Sequence, residues 1–110
     1  MALLPEDFVC DWPASCERFE GRDTFVAVQR DYPAGWSIEM LDVAPWPGGA
    51  ASRVRVFLAP GVFEAVSFFR FDGTMPQSVV EYWIPWGADE RPAWRAHLAT
   101  AIQPPLRAGT

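Results

Sequence analysis

Three side chains in this sequence could move a proton in an apolar setting: Glu81, Asp11 and His97. Each lies close to a tryptophan: Glu81 opens EYWIPW (81–86), Asp11 precedes Trp12 in FVCDW (8–12), and His97 follows Trp94 by one helical turn. A carboxylate among rings loses water, which disfavours its charged form and tunes it toward general acid or base work near neutral pH. Glu81 is expected among Val79, Trp83 and Phe68. Asp11 would complete an acid/base couple if it entered the same cavity, and His97 could shuttle a proton at the mouth. Each residue also has a structural reading. Glu81 could pair with Arg55 or Arg70 on a sheet. Asp11 could lie on the surface, opposite a buried Phe8–Trp12 face. His97 could be a helix-boundary residue.

Other chemistries find no constellation. Ser67 and Ser78 have no histidine and acid at a recognisable spacing, so a nucleophilic triad is unsupported. Gly48 and Gly49 precede a strand and not a helix, so no phosphate loop is present. Cys10 and Cys16 match no zinc spacing, and His97, the sole histidine, is distant in sequence; a metal site is not expected. Cys10 reads as a small buried hydrophobe. No cofactor is expected.

The totals set the frame. The chain has 110 residues, half of them hydrophobic, with eight Phe, six Trp and two Tyr. One domain with a real core is expected, because each buried aromatic removes roughly 150–250 Å² from water. Net charge is −5, and the nine basic residues are all arginines scattered among fourteen acids. Nucleic-acid binding through phosphates wants a basic face, so a nucleic-acid partner is not expected. No apolar run approaches the ~20 residues of a membrane span, and MALLPEDF lacks a signal-peptide pattern. A cytoplasmic protein with free thiols, bound to no membrane, is expected.

The elements that must hold these residues follow from periodicity. FVCDW (8–12) reads as a strand with Phe8, Cys10 and Trp12 on one face and Val9 and Asp11 on the other. PASCERFEG reads as a polar connection. A helix is expected over 21–33, with Asp23 in its first turn and Phe25, Val28 and Tyr32 on one face; Pro33 ends it. Strands are expected over 36–44, 52–59, 62–71 and 77–84, with PWPGG breaking the first. Asp72-Gly73 signals a hairpin, and Pro76 leaves its register uncertain by one residue. A final helix is expected over 91–103, with Trp94, Leu98 and Ile102 as its stripe; 104–110 is a frayed tail. The order strand, helix, four strands, helix gives an α+β fold built on an antiparallel sheet.

Three stretches carry a family likeness. DFVCDWPASCERFEGRDTFVAVQRDYPAGWSIEM, AVSFFRFDG and VVEYWIPW resemble the SnoaL-like family of polyketide-cyclase relatives, over Leu4 to Ile102. That family belongs to the cone-shaped α+β superfamily that includes scytalone dehydratase, ketosteroid isomerase and a nuclear transport factor. The resemblance implies a strongly curved antiparallel sheet wrapped on helices, a pocket on its hollow side and a homodimer through its convex side. Both faces of a strand such as EYWIPW would then be covered. Relatives carry a long N-terminal helix before the segment matching ALLPEDF. Here that segment follows Met1 directly, so the lid helix is expected to be missing.

Two readings follow. In one, the chain binds a small apolar molecule among Trp12, Phe25, Tyr32, Trp36, Phe68 and Trp83, without catalysis. In the other, Glu81, assisted by Asp11 or Tyr32, runs an isomerase, cyclase or dehydratase reaction on a polyketide- or steroid-like molecule. The superfamily hosts both kinds of protein, so the resemblance does not choose.

Overall fold

The structure, a computed structural model, describes residues 4–31 and 35–107. Tyr32, one of the expected ligand-binding residues, lies outside the described residues. The elements in chain order are β1 (Val9–Trp12), a 3-10 turn (Pro13–Ser15), β2 (Glu17–Glu20), α1 (Arg22–Asp31), β3 (Ser37–Trp46), β4 (Gly49–Leu58), β5 (Gly61–Asp72), β6 (Met75–Pro85) and α2 (Ala93–Ala96). The six strands form one curved sheet in the order β2-β1-β6-β5-β4-β3. Neighbours are antiparallel except β1 and β6, which run parallel. The expected α+β fold with a curved, largely antiparallel sheet is what the chain adopts.

β2 was not expected. PASCERFEG folds back on β1 through the 3-10 turn, whose exit residue Cys16 takes a left-handed φ of 58° and donates its N–H to the Pro13 carbonyl at 3.1 Å. The strand is short and charged, with Phe19 as its sole large apolar residue, so it carries no alternation to read. β3 also runs further than expected, through Pro45 to Trp46. It is an edge strand, where a proline without an N–H breaks no ladder bond on its free side. Gly49 is required at the start of β4: a Cβ there would stand 2.5 Å from the Phe69 carbonyl and 2.7 Å from the Trp46 indole.

The expected helix over 91–103 is a correction. Only Ala93–Ala96 is helical, and Trp94, Leu98 and Ile102 are 71%, 75% and 73% exposed. An isolated segment of that length is marginal in water unless its apolar face packs on something, and this stripe is left largely uncovered by the described residues. His97 is the exposed cap of this single turn. Among the described residues no helix is long and apolar enough to cross a membrane.

The core lies where α1 meets the hollow face. Phe8, Cys10 and Val79 are buried, with Leu4, Trp12, Phe19, Phe25 and Phe69 packed around them. Phe25 meets Phe8, the residue before β1, edge-on at 5.1 Å, so the Phe25 position of the helix packs into this core. The start of α1 is tied down by Gly21 N–H to the Phe8 carbonyl (2.7 Å) and by the Arg22 guanidinium to the Leu4 carbonyl (3.1 Å).

Candidate functional site

Register decides which residues meet Glu81. β5 and β6 place Ser67 opposite Glu81, Ala65 opposite Trp83 and Phe69 opposite Val79. The parallel pairing of β1 with β6 sets Cys10 beside Val79, so Phe8, Cys10 and Trp12 share the hollow face with Glu81. Two strands, β1 and β5, therefore deliver polar hydrogens to a carboxylate on the strand between them. Trp12 Nε1–H donates to Glu81 Oε1 at 3.0 Å, the Ser67 hydroxyl to Oε2 at 2.9 Å, and the Cys10 thiol to Oε1 at 3.5 Å. Ser67 is only 4% exposed, so its hydroxyl has little water to turn to.

The arrangement fixes the chemistry of the neighbours. Burial pushes the Cys10 thiol up to about 12, and the adjacent Glu81 carboxylate adds to the effect. Cys10 is thus a proton donor to Glu81 and not a thiolate nucleophile. An ionised carboxylate has about four lone-pair positions. Three donors occupy part of that capacity, and the remainder is open to a ligand.

Glu81 also lines a cleft of about 310 Å³ with Trp12, Ala14, Ser15, Glu17, Phe63 and Trp83. A smaller recess of about 30 Å³, lined by Trp12, Gln29, Trp36, Ile38, Val56 and Trp83, shares the same two tryptophans. Trp12 and Trp83 meet edge-on at 5.8 Å and Trp12 and Phe19 at 4.8 Å, so Trp12 is gripped from both sides.

The structure sorts the residues singled out from sequence. Glu81, Trp12, Trp36 and Trp83 gather at the two recesses. Phe25 lies beneath, in the packed core. Three residues are not brought there. Asp11 alternates to the opposite face and is held bidentately by Arg18, at 2.7 and 3.0 Å; that guanidinium keeps the Asp11 carboxyl below the usual carboxylate range. His97 sits on the exposed C-terminal turn. Phe68 pairs with Val80 and stacks edge-on against Tyr82 at 6.2 Å, on the convex face. Its place beside Glu81 belongs to Ser67.

The expected pairing of Glu81 with Arg55 or Arg70 also gives way. Both arginines alternate to the convex face. There Arg53 bridges Asp42 (2.7 Å) and Glu64 (2.9 Å), and Arg55 lies 3.7 Å from Glu64, which in turn accepts the Trp86 indole N–H at 2.8 Å. Sequence reading missed Ser67, Glu17 and Phe63. The signal for Ser67 was strand register, and the β-bulge between Arg70 and Phe71 hid it.

No family model and no curated protein matches the sequence. Solved structures do. A Kribbella flavida protein described as a "putative ketosteroid isomerase" superposes with a TM-score of 0.84 and 26% identity, over 94% of this chain and 75% of that one. An NTF2-like protein of unknown function from Burkholderia xenovorans gives 0.72 and 22%, over 93% and 79%. The chain belongs to the cone-shaped NTF2-like superfamily. A Mycobacterium tuberculosis LEH-like epoxide hydrolase shares the fold at a TM-score of 0.58 and 15% identity, over 74% of this chain and 65% of that one. The SnoaL-like resemblance read from the sequence falls within this superfamily.

Proposed function

We propose that this NTF2-like domain binds a small, largely apolar molecule in the Glu81 cleft, with Glu81 as its polar anchor. One observation carries this reading: a carboxylate fixed by Trp12, Ser67 and Cys10, without a cationic partner among the described residues, lining an aromatic-walled recess. Pockets of about 300 Å³ and upward, apolar with a few placed polar groups, are the usual form of a small-molecule site. A carboxylate that only stabilises a sheet is more often found paired, as Glu64 is here.

A second reading is favoured by the resemblance to the Kribbella flavida protein. In this reading the same carboxylate, held against an apolar wall, would act as a general base for isomerisation, cyclisation or dehydration without a cofactor. Asp11 and His97 take no part in either reading. One experiment separates the two. Wild type and Glu81→Gln are titrated with a panel of cyclic ketones, alcohols and amines, with tryptophan fluorescence read for binding and NMR for deuterium exchange of the ketones' α-protons. Binding that weakens in the variant supports a ligand site. Exchange lost in the variant adds catalysis. A panel that leaves both proteins unmoved, or moves them equally, removes the role given to Glu81.

We further propose that the convex face meets a second copy of the chain in the cytoplasm. Phe68, Tyr82 and Ile84 are exposed together on that face. The chain exposes 8031 Å², against about 6,100 Å² for a folded monomer of its mass. That excess is shared between this face and the uncovered Trp94, Leu98, Ile102 and Leu106 stripe, and a standard dimer interface removes about 800 Å² from each partner. Light scattering at micromolar concentration tests this: a monomer refutes it.

A further inference from the structure

We propose that the occupant of the Glu81 cleft is an organic cation, an amine or ammonium on a compact apolar body. The inference rests on the reading of the cleft as a ligand site and specifies its charge.

Charge is segregated between the two faces of the sheet. Every arginine on the sheet lies on the convex face: Arg18 with Asp11, Arg53 and Arg55 with Glu64, and Arg70 opposite Ser78. The hollow face of the sheet carries Glu17 and Glu81, and both line the cleft. Neither has an ion-pair partner among the described residues, and the lining contains no basic side chain. The remaining walls are mainly rings: Trp12, Phe63 and Trp83.

Ligand classes respond differently to such walls. An anion would meet two carboxylates and no donor of positive charge. A neutral apolar molecule would strip water from Glu81 and leave its charge with neutral partners alone, which is costly. A cation would supply the missing counter-charge and lie against ring faces, an attraction of about 0.5–2 kcal/mol per well-placed ring. Carboxylates and rings without a guanidinium or ammonium therefore favour a positively charged guest.

The test uses three probes of matched size: 2-phenylethylammonium, 2-phenylethanol and phenylacetate. Each is titrated up to about 10 mM, a limit that detects millimolar affinity, with tryptophan fluorescence and calorimetry as readouts. The ammonium is expected to bind at least about tenfold more tightly than the alcohol, with the anion weakest; added salt should reduce the preference. Glu81→Gln and, separately, the exposed Glu17→Gln should each cut that preference by about threefold or more, which guards against one variant failing to fold. If the alcohol or the anion binds as tightly as the ammonium, the charge assignment is overturned while the cleft remains a ligand site. If the ammonium binds but ignores salt and both substitutions, it sits elsewhere and the proposal fails. If none of the three binds, the cation inference falls together with the reading beneath it.

Discussion

The hydrogen bond from Ser67 to Glu81 offers the sharpest test of how the site is built. Ser67→Ala removes a buried donor that stands 2.9 Å from Oε2. Hydrogen bonds to charged groups contribute about 1.5–3 kcal/mol, and neutral ones about 0.5–1.5. The substitution should therefore cost about 2 kcal/mol. In Glu81→Gln the amide oxygen can keep the Trp12 and Cys10 donors, because both bond the same atom, Oε1. Its NH2 then faces Ser67, whose hydroxyl can turn and accept. That single substitution weakens all three bonds from charged to neutral, about 1 kcal/mol each, and should cost up to about 3 kcal/mol. In the Glu81→Gln background, removing the Ser67 hydroxyl loses only a neutral bond, about 1 kcal/mol. The cycle thus predicts a coupling of about 1 kcal/mol between the two positions. Urea unfolding followed by tryptophan fluorescence measures all four proteins. With about 4 °C per kcal/mol for a chain of this size, thermal melts provide a second readout. A Ser67→Ala protein as stable as wild type, or a coupling below about 0.3 kcal/mol, would refute the claim that Ser67 holds a charged Glu81.

Three further outcomes follow from the same geometry. In native protein a thiol reagent at neutral pH should label the exposed Cys16 quickly and leave Cys10 untouched until denaturant is added; equal labelling of both contradicts the buried, protonated Cys10. Because the Cys10 thiol is raised from 9.0 to about 12, the folded chain keeps that proton where the unfolded chain has lost it. Its stabilisation is whole below pH 9 and declines toward pH 12, by up to about 1.4 kcal/mol per pH unit, and Cys10→Ala should flatten that decline in urea melts. Gly49→Ala forces a methyl into the Phe69 carbonyl and the Trp46 ring, and should cost about 1–3 kcal/mol in the same melts; a neutral effect means β4 and β5 approach less closely there.

Local pattern determined much of this protein. Alternation in FVCDW put Phe8, Cys10 and Trp12 on one face and Asp11 on the other, because a strand's side-chain period is two wherever no bulge interrupts it. The 3.6-residue spacing in GRDTFVAVQR found the helix face that packs Phe25 on Phe8. The Asp72-Gly73 signal found the hairpin between β5 and β6, though its two-residue turn falls one position later, at Gly73-Thr74, with Asp72 paired to Met75. Those signals act between residues close in sequence, so they can be read without the fold.

Tertiary structure decided what lies opposite what. At the mouth of that hairpin Phe71 pairs with Pro76, but Arg70 pairs with Ser78, leaving Gln77 as an extra residue on β6. That one-residue shift moved Ser67 to Glu81 and sent Phe68 to the convex side. The sequence marked the hazard at Pro76 but could not show whether the chain would spend it on a bulge. The last helix failed for a related reason. Its stripe of Trp94, Leu98 and Ile102 is helical in spacing, yet a periodic stripe becomes a stable helix only where a surface receives it. The identity of Glu81 as the central carboxylate was legible from its neighbours in the chain. Its three donors come from β1 and β5, on either side of its own strand, and only the folding of one sheet around one side chain could bring them together.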